Sequence, residues 1–168
     1  MKHILRKVIA IATVVTMLAA VPAMDAQAAA VKYATYTNTR FTYTVKYPTT
    51  FQRADYGSGD GTKLFSKDGK AKATIWNSYG KTGKRSGKTV VATAKKNRKI
   101  NVEKATKTEC RYNYKMGKNT IQYCYVFIKN GEIAFQLTYP TASKKYYSAA
   151  AKGMMASLKK NKSLTLND

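Results

Sequence analysis

The stretch TIQYCYVFIKNGEIAFQLTY, residues 120–139, decides the fold. Two runs of period two, Thr120 to Lys129 and Glu132 to Tyr139, flank Asn130-Gly131, a pair that favours a type I′ hairpin turn. A turn centred there pairs Lys129 with Glu132, Ile128 with Ile133, Val126 with Phe135 and Cys124 with Leu137. Side chains alternate faces along a strand. One face therefore carries Cys124, Val126, Ile128, Ile133, Phe135 and Leu137, all apolar, and is the predicted main core face. The opposite face carries Tyr123, Tyr125 and Phe127 beside Gln136 and Thr138. That aromatic row either stacks ligand rings or sugars, or forms the floor under a helix.

The neighbouring strand, Glu103 to Lys115, is joined to this hairpin near Met116-Gly117-Lys118. An odd-numbered turn places Cys110 opposite Cys124, at a separation that permits a disulfide; an even-numbered turn breaks the alignment. Further out, Phe41, Tyr43, Val45 and Tyr47 alternate with polar residues in a half-buried strand stopped by Pro48. Thr49 to Gly61 reads as a loop. Thr62 to Ser66 and Ala71 to Asn77 form a hairpin around Asp68-Gly69. Ser78 to Lys88 is a cationic, Gly-rich loop, and Thr89 to Lys99 a helix capped by Thr89, with lysines in its last turns, where the dipole favours them. Ser143 to Lys160 is a second helix with Tyr147, Ala150, Ala151, Met154 and Leu158 on one stripe, placed to cover the core face. The predicted class is α+β: an antiparallel sheet of about six strands flanked by two helices.

The N-terminus has a different character. Lys2, Arg6 and Lys7 precede an apolar run from Val8 to Ala20, and Ala26-Gln27-Ala28 fits the small-x-small pattern of a signal-peptidase site. A membrane-spanning helix needs about 20 apolar residues, so residues 1–28 read as a removable signal peptide, cut after Ala28 or Ala30. Residues 29–40 form a lead-in segment, 41–160 one domain and 161–168 a frayed tail. No second long apolar run occurs, so no transmembrane segment is expected in the mature chain.

The whole chain carries a formal charge of +23. Removing residues 1–28 takes away three basic side chains and Asp25, which leaves +21. Such an excess attracts polyanions and points to an anionic neighbourhood, a teichoic-acid-bearing wall, anionic lipid headgroups or extracellular nucleic acid; the expected location is secreted and wall-associated. Removal also takes away His3, the only histidine. No Ser-His, Cys-His or His-metal arrangement is then possible.

Other motifs fail on spacing. In Gly83-Lys84-Arg85-Ser86-Gly87-Lys88-Thr89 only three residues separate the glycines, where a phosphate-cradling P-loop has four. What remains is Lys81, Lys84, Arg85 and Lys88 crowded at a helix N-terminus, which reads either as an anion contact through free N–H groups and the dipole or as a solvated loop. Asp55, Asp60 and Asp68 lack the alternating oxygen ligands of a calcium loop: positions three and five are Gly57 and Gly59, and position twelve is Ser66. The seven acids after residue 28, Asp55, Asp60, Asp68, Glu103, Glu109, Glu132 and Asp168, show no pattern that promises a carboxylate pair. Charge and 13 tyrosines suit non-specific nucleic-acid contact, but no recognised nucleic-acid motif appears.

Several short pieces in this order resemble one known family. They are FTYTVKYP at 41–48, the Asp60-Gly61 loop with Phe65 and Asp68-Gly69, YVFI at 125–128, FQLTYP at 135–140, and the final Tyr-containing helix ending in Ser157-Leu158-Lys159. Together they resemble the PsbP-like superfamily, named for an extrinsic subunit of photosystem II. The resemblance implies an antiparallel sheet sandwiched by helices and a non-enzymatic binding or assembly role, and transfers no site residues. The expectation is a secreted, non-catalytic basic domain that associates with anionic cell-envelope polymers or an envelope protein, without cofactor or metal. The alternatives are a wall or polymer hydrolase using Ser or carboxylate chemistry, and a non-specific extracellular nucleic-acid binder.

Overall fold

The structure, a computed structural model, describes residues 31–79, 85–128 and 131–160. Residues 1–28, read above as a signal peptide, Lys81, Lys84, Asn130 and the tail at 161–168 lie outside the described residues. The elements run β1 (Tyr33–Asn38), β2 (Tyr43–Pro48), β3 (Phe51–Asp55), β4 (Gly61–Ser66), β5 (Lys72–Tyr79), α1 (Gly87–Asn97), β6 (Asn101–Ala105), β7 (Glu109–Met116), β8 (Asn119–Ile128), β9 (Gly131–Pro140), a short 3₁₀ turn, α2 (Lys144–Ser157) and β10 (Lys159–Lys160).

Seven strands form one sheet in the order β3-β4-β5-β9-β8-β7-β6, every neighbouring pair antiparallel. A small sheet, β1-β2-β10, stands apart from it. The fold is α+β, with α1 packed on β6, β7 and β8 and α2 on β2, β8 and β9. The main core joins the large sheet to α2 and the small sheet through Tyr43, Val45, Ile75, Phe135, Leu137, Tyr147 and Met154, all fully buried. A second, smaller core forms under α1 around Val91, Cys110 and Tyr112.

The sheet has more strands than the period-two reading expected, for local reasons. Phe51 is buried and Phe51–Asp55 pairs with β4, so the segment read as loop is an edge strand. The strand expected from Glu103 to Lys115 is two strands. The Thr106 hydroxyl donates to the Glu109 carbonyl at 3.1 Å and accepts from the Glu109 amide at 3.0 Å, which folds the chain back between β6 and β7. Helix α1 begins and ends two residues earlier than the expected 89–99, and α2 is shorter than the expected 143–160.

The central hairpin keeps its faces but not its pairing. Val126 lies opposite Ile133, Cys124 opposite Phe135, and Ile128 opposite Gly131, two residues away from the expected register. Gly131 is a strand residue rather than a turn residue. A slip of two preserves every side chain's face, whereas a slip of one would invert them all. Cys124, Ile133, Phe135 and Leu137 are accordingly buried, and Val126 and Ile128 pack against the same core.

The expected Cys110–Cys124 disulfide is corrected by the β7–β8 turn. Met116 pairs with Asn119, leaving a two-residue connection in which Gly117 has φ 57°. Glycine leading a two-residue hairpin suits the II′ turn. This even-numbered turn sets Cys110 opposite Tyr125 and Cys124 opposite Arg111. The two thiols lie on opposite faces of the sheet, in separate cores, and both are free and buried.

Candidate ligand-binding groove

The aromatic row of the central hairpin is longer than the sequence reading expected. Tyr112 of β7 lies opposite Tyr123 of β8, with ring centroids 5.2 Å apart and planes within 20°. Tyr114 joins at 6.2 Å from Tyr123, Tyr125 at 5.9 Å from Tyr123, and Phe127 at 6.3 Å from Tyr125, all near parallel. Separations of this size with near-parallel planes are offset stacks. The rings use their faces on one another, leaving their edges and hydroxyl groups as the floor.

Helix α1 covers this floor only in part. Its start is fixed by a capping box: the Thr89 amide donates to the Ser86 hydroxyl at 3.3 Å, and the Ser86 amide donates to the Thr89 hydroxyl at 2.8 Å. Such reciprocal bonds satisfy two of the orphan donors at a helix start. Ser86, not Thr89, is therefore the cap, and Thr89 is the residue that reaches back.

Gly87 then lets the helix backbone come down onto the β6–β7 turn. A Cβ at this position would collide with the carbonyl oxygens of Glu109 and Thr106. Gly87 and Lys88 donate their amides to the carbonyls of Lys107 and Thr106 at 3.4 and 3.1 Å. The first-turn N–H groups that an anion would need are therefore engaged by the protein. The glycine that made the segment look like a phosphate loop is explained by helix-to-turn packing.

Between helix and sheet lies a groove of about 690 Å³. Tyr112, Tyr114, Tyr123 and Tyr125 floor it, and Thr89, Val90, Thr93, Ala94 and Asn97 form the helical wall. Arg85 and Arg98 stand before and after the helix. The Arg85 guanidinium lies 6.0 Å from the Tyr125 ring centre, and that of Arg98 lies 4.5 Å from Tyr114. Both distances are within cation–π range. Burial pushes the Tyr123 hydroxyl up to about 12 and raises those of Tyr112 and Tyr125 as well. These hydroxyls stay neutral across ordinary pH and serve as hydrogen-bond donors and acceptors.

Tyr123 and Tyr125 line the groove, and Phe127 extends the row beyond it. Arg85 lines the groove and bonds Glu132 at 3.1 Å. Lys88 is exposed at the start of α1, and Lys81 and Lys84 lie outside the described residues. Sequence reasoning missed Tyr112, Tyr114, Asn97 and Arg98. The first two carried a signal in the alternation Cys110, Tyr112, Tyr114; Arg98 resembled one more cation of the helix end.

The described acids are all engaged. Asp55 pairs with Arg53 at 3.2 Å, Asp60 with Arg40 at 2.8 Å, and Glu109 with Lys104 and Arg111, each at 2.5 Å. Glu103 accepts from Asn113 and Gln122 at 2.9 and 2.8 Å. Asp68 accepts from Ser66, the Lys70 amide and the Tyr147 hydroxyl. Among the described residues no three His, Cys, Asp or Glu side chains are grouped to hold a metal ion.

No protein-family profile and no curated protein matches the chain. Solved structures do. Cyanobacterial PsbP (CyanoP) from Synechocystis sp. PCC 6803 aligns with TM-score 0.53 and 10% identity over 79% of this chain and 95% of its own. The Ran-binding protein Mog1p of Saccharomyces cerevisiae aligns with TM-score 0.54 and 10% identity over 81% of this chain and all of its own. A protein of Bacteroides thetaiotaomicron aligns with TM-score 0.53 and 15% identity over 77% of this chain and 48% of its own. At such identities the likeness is one of fold. The chain has the PsbP-like fold that its sequence pieces resemble.

Proposed function

We propose that this chain is a non-catalytic binding domain, exported by its N-terminal signal, that holds an anionic cell-envelope polymer in the groove between α1 and the tyrosine ladder. The observation that carries this reading is the groove itself: a floor of tyrosine edges and hydroxyls with a guanidinium at each end. Its volume falls in the range of sites for small molecules or short chain segments. A protein partner needs a broader surface, on the order of 800 Å², so the groove favours a polymer over an envelope protein. The charge of +21 left after residue 28 draws any polyanion near, and the groove adds contacts that charge alone lacks.

The test is retention on purified cell wall. Thr93 is exposed on the groove wall, so Thr93→Glu places a carboxylate at the mouth without disturbing the core. Thr37→Glu, at an exposed position of β1, is the matched change of charge elsewhere. The reading predicts that Thr93→Glu weakens retention about tenfold, corresponding to about 1.4 kcal/mol, while Thr37→Glu stays close to the parent protein. Equal loss in both would reduce the interaction to net charge. Absence of retention even at low salt would refute the polymer reading.

A further inference from the structure

The two guanidinium groups of the groove differ in electrostatic state. Arg85 is bonded to Glu132, whose side chain is only 4% exposed and whose second carboxylate oxygen, Oε2, has no hydrogen-bond partner. A buried carboxylate depends strongly on its cation, because removal of one partner strands the other charge. Arg85 is thereby committed to Glu132 and its own charge is offset, while Lys88, exposed beside it at the start of α1, does not line the groove. Arg98 is exposed over Tyr114, and among the described residues no carboxylate lies within ion-pair distance of it. Lys95, Lys96 and Lys99 lie beside it in sequence, all exposed. The nearest acid along the chain, Glu103, is held by Asn113 and Gln122, which belong to the opposite face of the sheet from Tyr114.

The floor restricts the ligand further. Because the ladder's ring faces are stacked on one another, a nucleobase or sugar ring finds edges and hydroxyls rather than open faces. A slim chain rich in hydroxyls suits such a floor. A phosphate suits Arg98, because the planar guanidinium presents paired donors that match phosphate oxygens.

We infer that Arg98, rather than Arg85, is the anion-recognising residue of the groove, that the ligand is a polyol-phosphate chain with a phosphate on Arg98 and hydroxylated units along the tyrosines, and that Glu132 sets this polarity by neutralising Arg85. The inference rests on the proposed binding role and adds the ligand class and the residue that reads it. Arg98 is the contact residue; Glu132 is a positioning residue acting through Arg85.

Calorimetric titration of the full mature chain with a four-unit glycerol phosphate oligomer tests it, at an ionic strength of about 0.15 M, where exposed charges more than about 8 Å apart are largely screened. Arg98→Gln should weaken binding at least about tenfold, the scale of a lost charge-assisted contact, and Arg98→Lys should restore part of the loss. The double substitution Arg85→Gln with Glu132→Gln removes both charges without stranding either, and should weaken binding clearly less than Arg98→Gln does. Glu132→Gln alone should bind more tightly than the parent protein, an increase that a merely structural role does not produce. Unchanged binding by Arg98→Gln, or a loss in the double variant as large as in Arg98→Gln, would overturn the assignment. Retention on purified wall without binding of the oligomer would overturn the ligand class while the groove reading stands; failure of both would remove the two together.

Discussion

Gly87 concentrates what single residues do in this fold. Its missing Cβ is what lets α1 touch the β6–β7 turn, and the obstructing atoms are backbone carbonyls that have little room to yield. Gly87→Ala should lower stability by about 1–3 kcal/mol, as overpacking does, measured by urea unfolding. Gly153→Ala is the informative contrast: the added methyl meets only the far end of the Tyr33 side chain, and alanine is the better helix former by about 1 kcal/mol. It should cost less than Gly87→Ala. The cysteines give a second residue-scale prediction. Burial raises both thiols to about 12, and the sheet lies between them. The folded protein should resist a thiol reagent at pH 8, and on denaturation without reductant both thiols should react; an intact disulfide in the mass spectrum would contradict the β7–β8 register. The pairing was misjudged from sequence because it hinges on whether one turn has an odd or even number of residues, and Gly117 closes an even one.

At the scale of elements, helix ends and hairpin turns decide how the layers join. Ser86→Ala removes the side-chain cap of α1 and should cost about 1 kcal/mol, measurable as a fall in the urea midpoint. The β4–β5 turn is fastened to α2: Asp68 accepts hydrogen bonds from the Ser66 hydroxyl, the Lys70 amide and the Tyr147 hydroxyl, which together hold its carboxyl at about 2. An unfolded aspartate titrates near 3.9. Its folded value is depressed, so its contribution to stability is complete above about pH 4 and is lost as pH falls through about 2. The stability difference between the parent protein and Asp68→Asn should therefore shrink across that window; a constant difference would mean that the charge of Asp68 plays no part in the latch. The hairpin at 120–139 was legible at this scale because face parity survives a slip of two residues. The edge strand β3 was not, because only Phe51 of its residues is buried and the rest carry no alternation.

At the scale of the whole molecule, the large sheet separates two environments. One side is closed by α2 and the small sheet over the main core; the other is only partly covered by α1 and keeps a groove. The α+β class and the resemblance in fold were readable from short strand and turn signatures. The groove was readable only in its Tyr123 and Tyr125 half. Arg98 and Tyr114 are far apart in sequence and meet only when α1 settles on β7, a tertiary event that no local pattern encodes. The excess of positive charge acts over the whole surface and its attraction fades with salt, whereas a ligand seated in the groove must perturb the tyrosine ladder itself. The most direct measurement is nuclear magnetic resonance of the labelled chain without residues 1–28, titrated with solubilised wall polymer at about 0.15 M salt. The account predicts that the signals of Tyr112, Tyr114, Tyr123, Tyr125 and the groove-facing turns of α1 shift first and most. Shifts spread evenly over exposed lysines, with the tyrosine ladder unmoved, would contradict it.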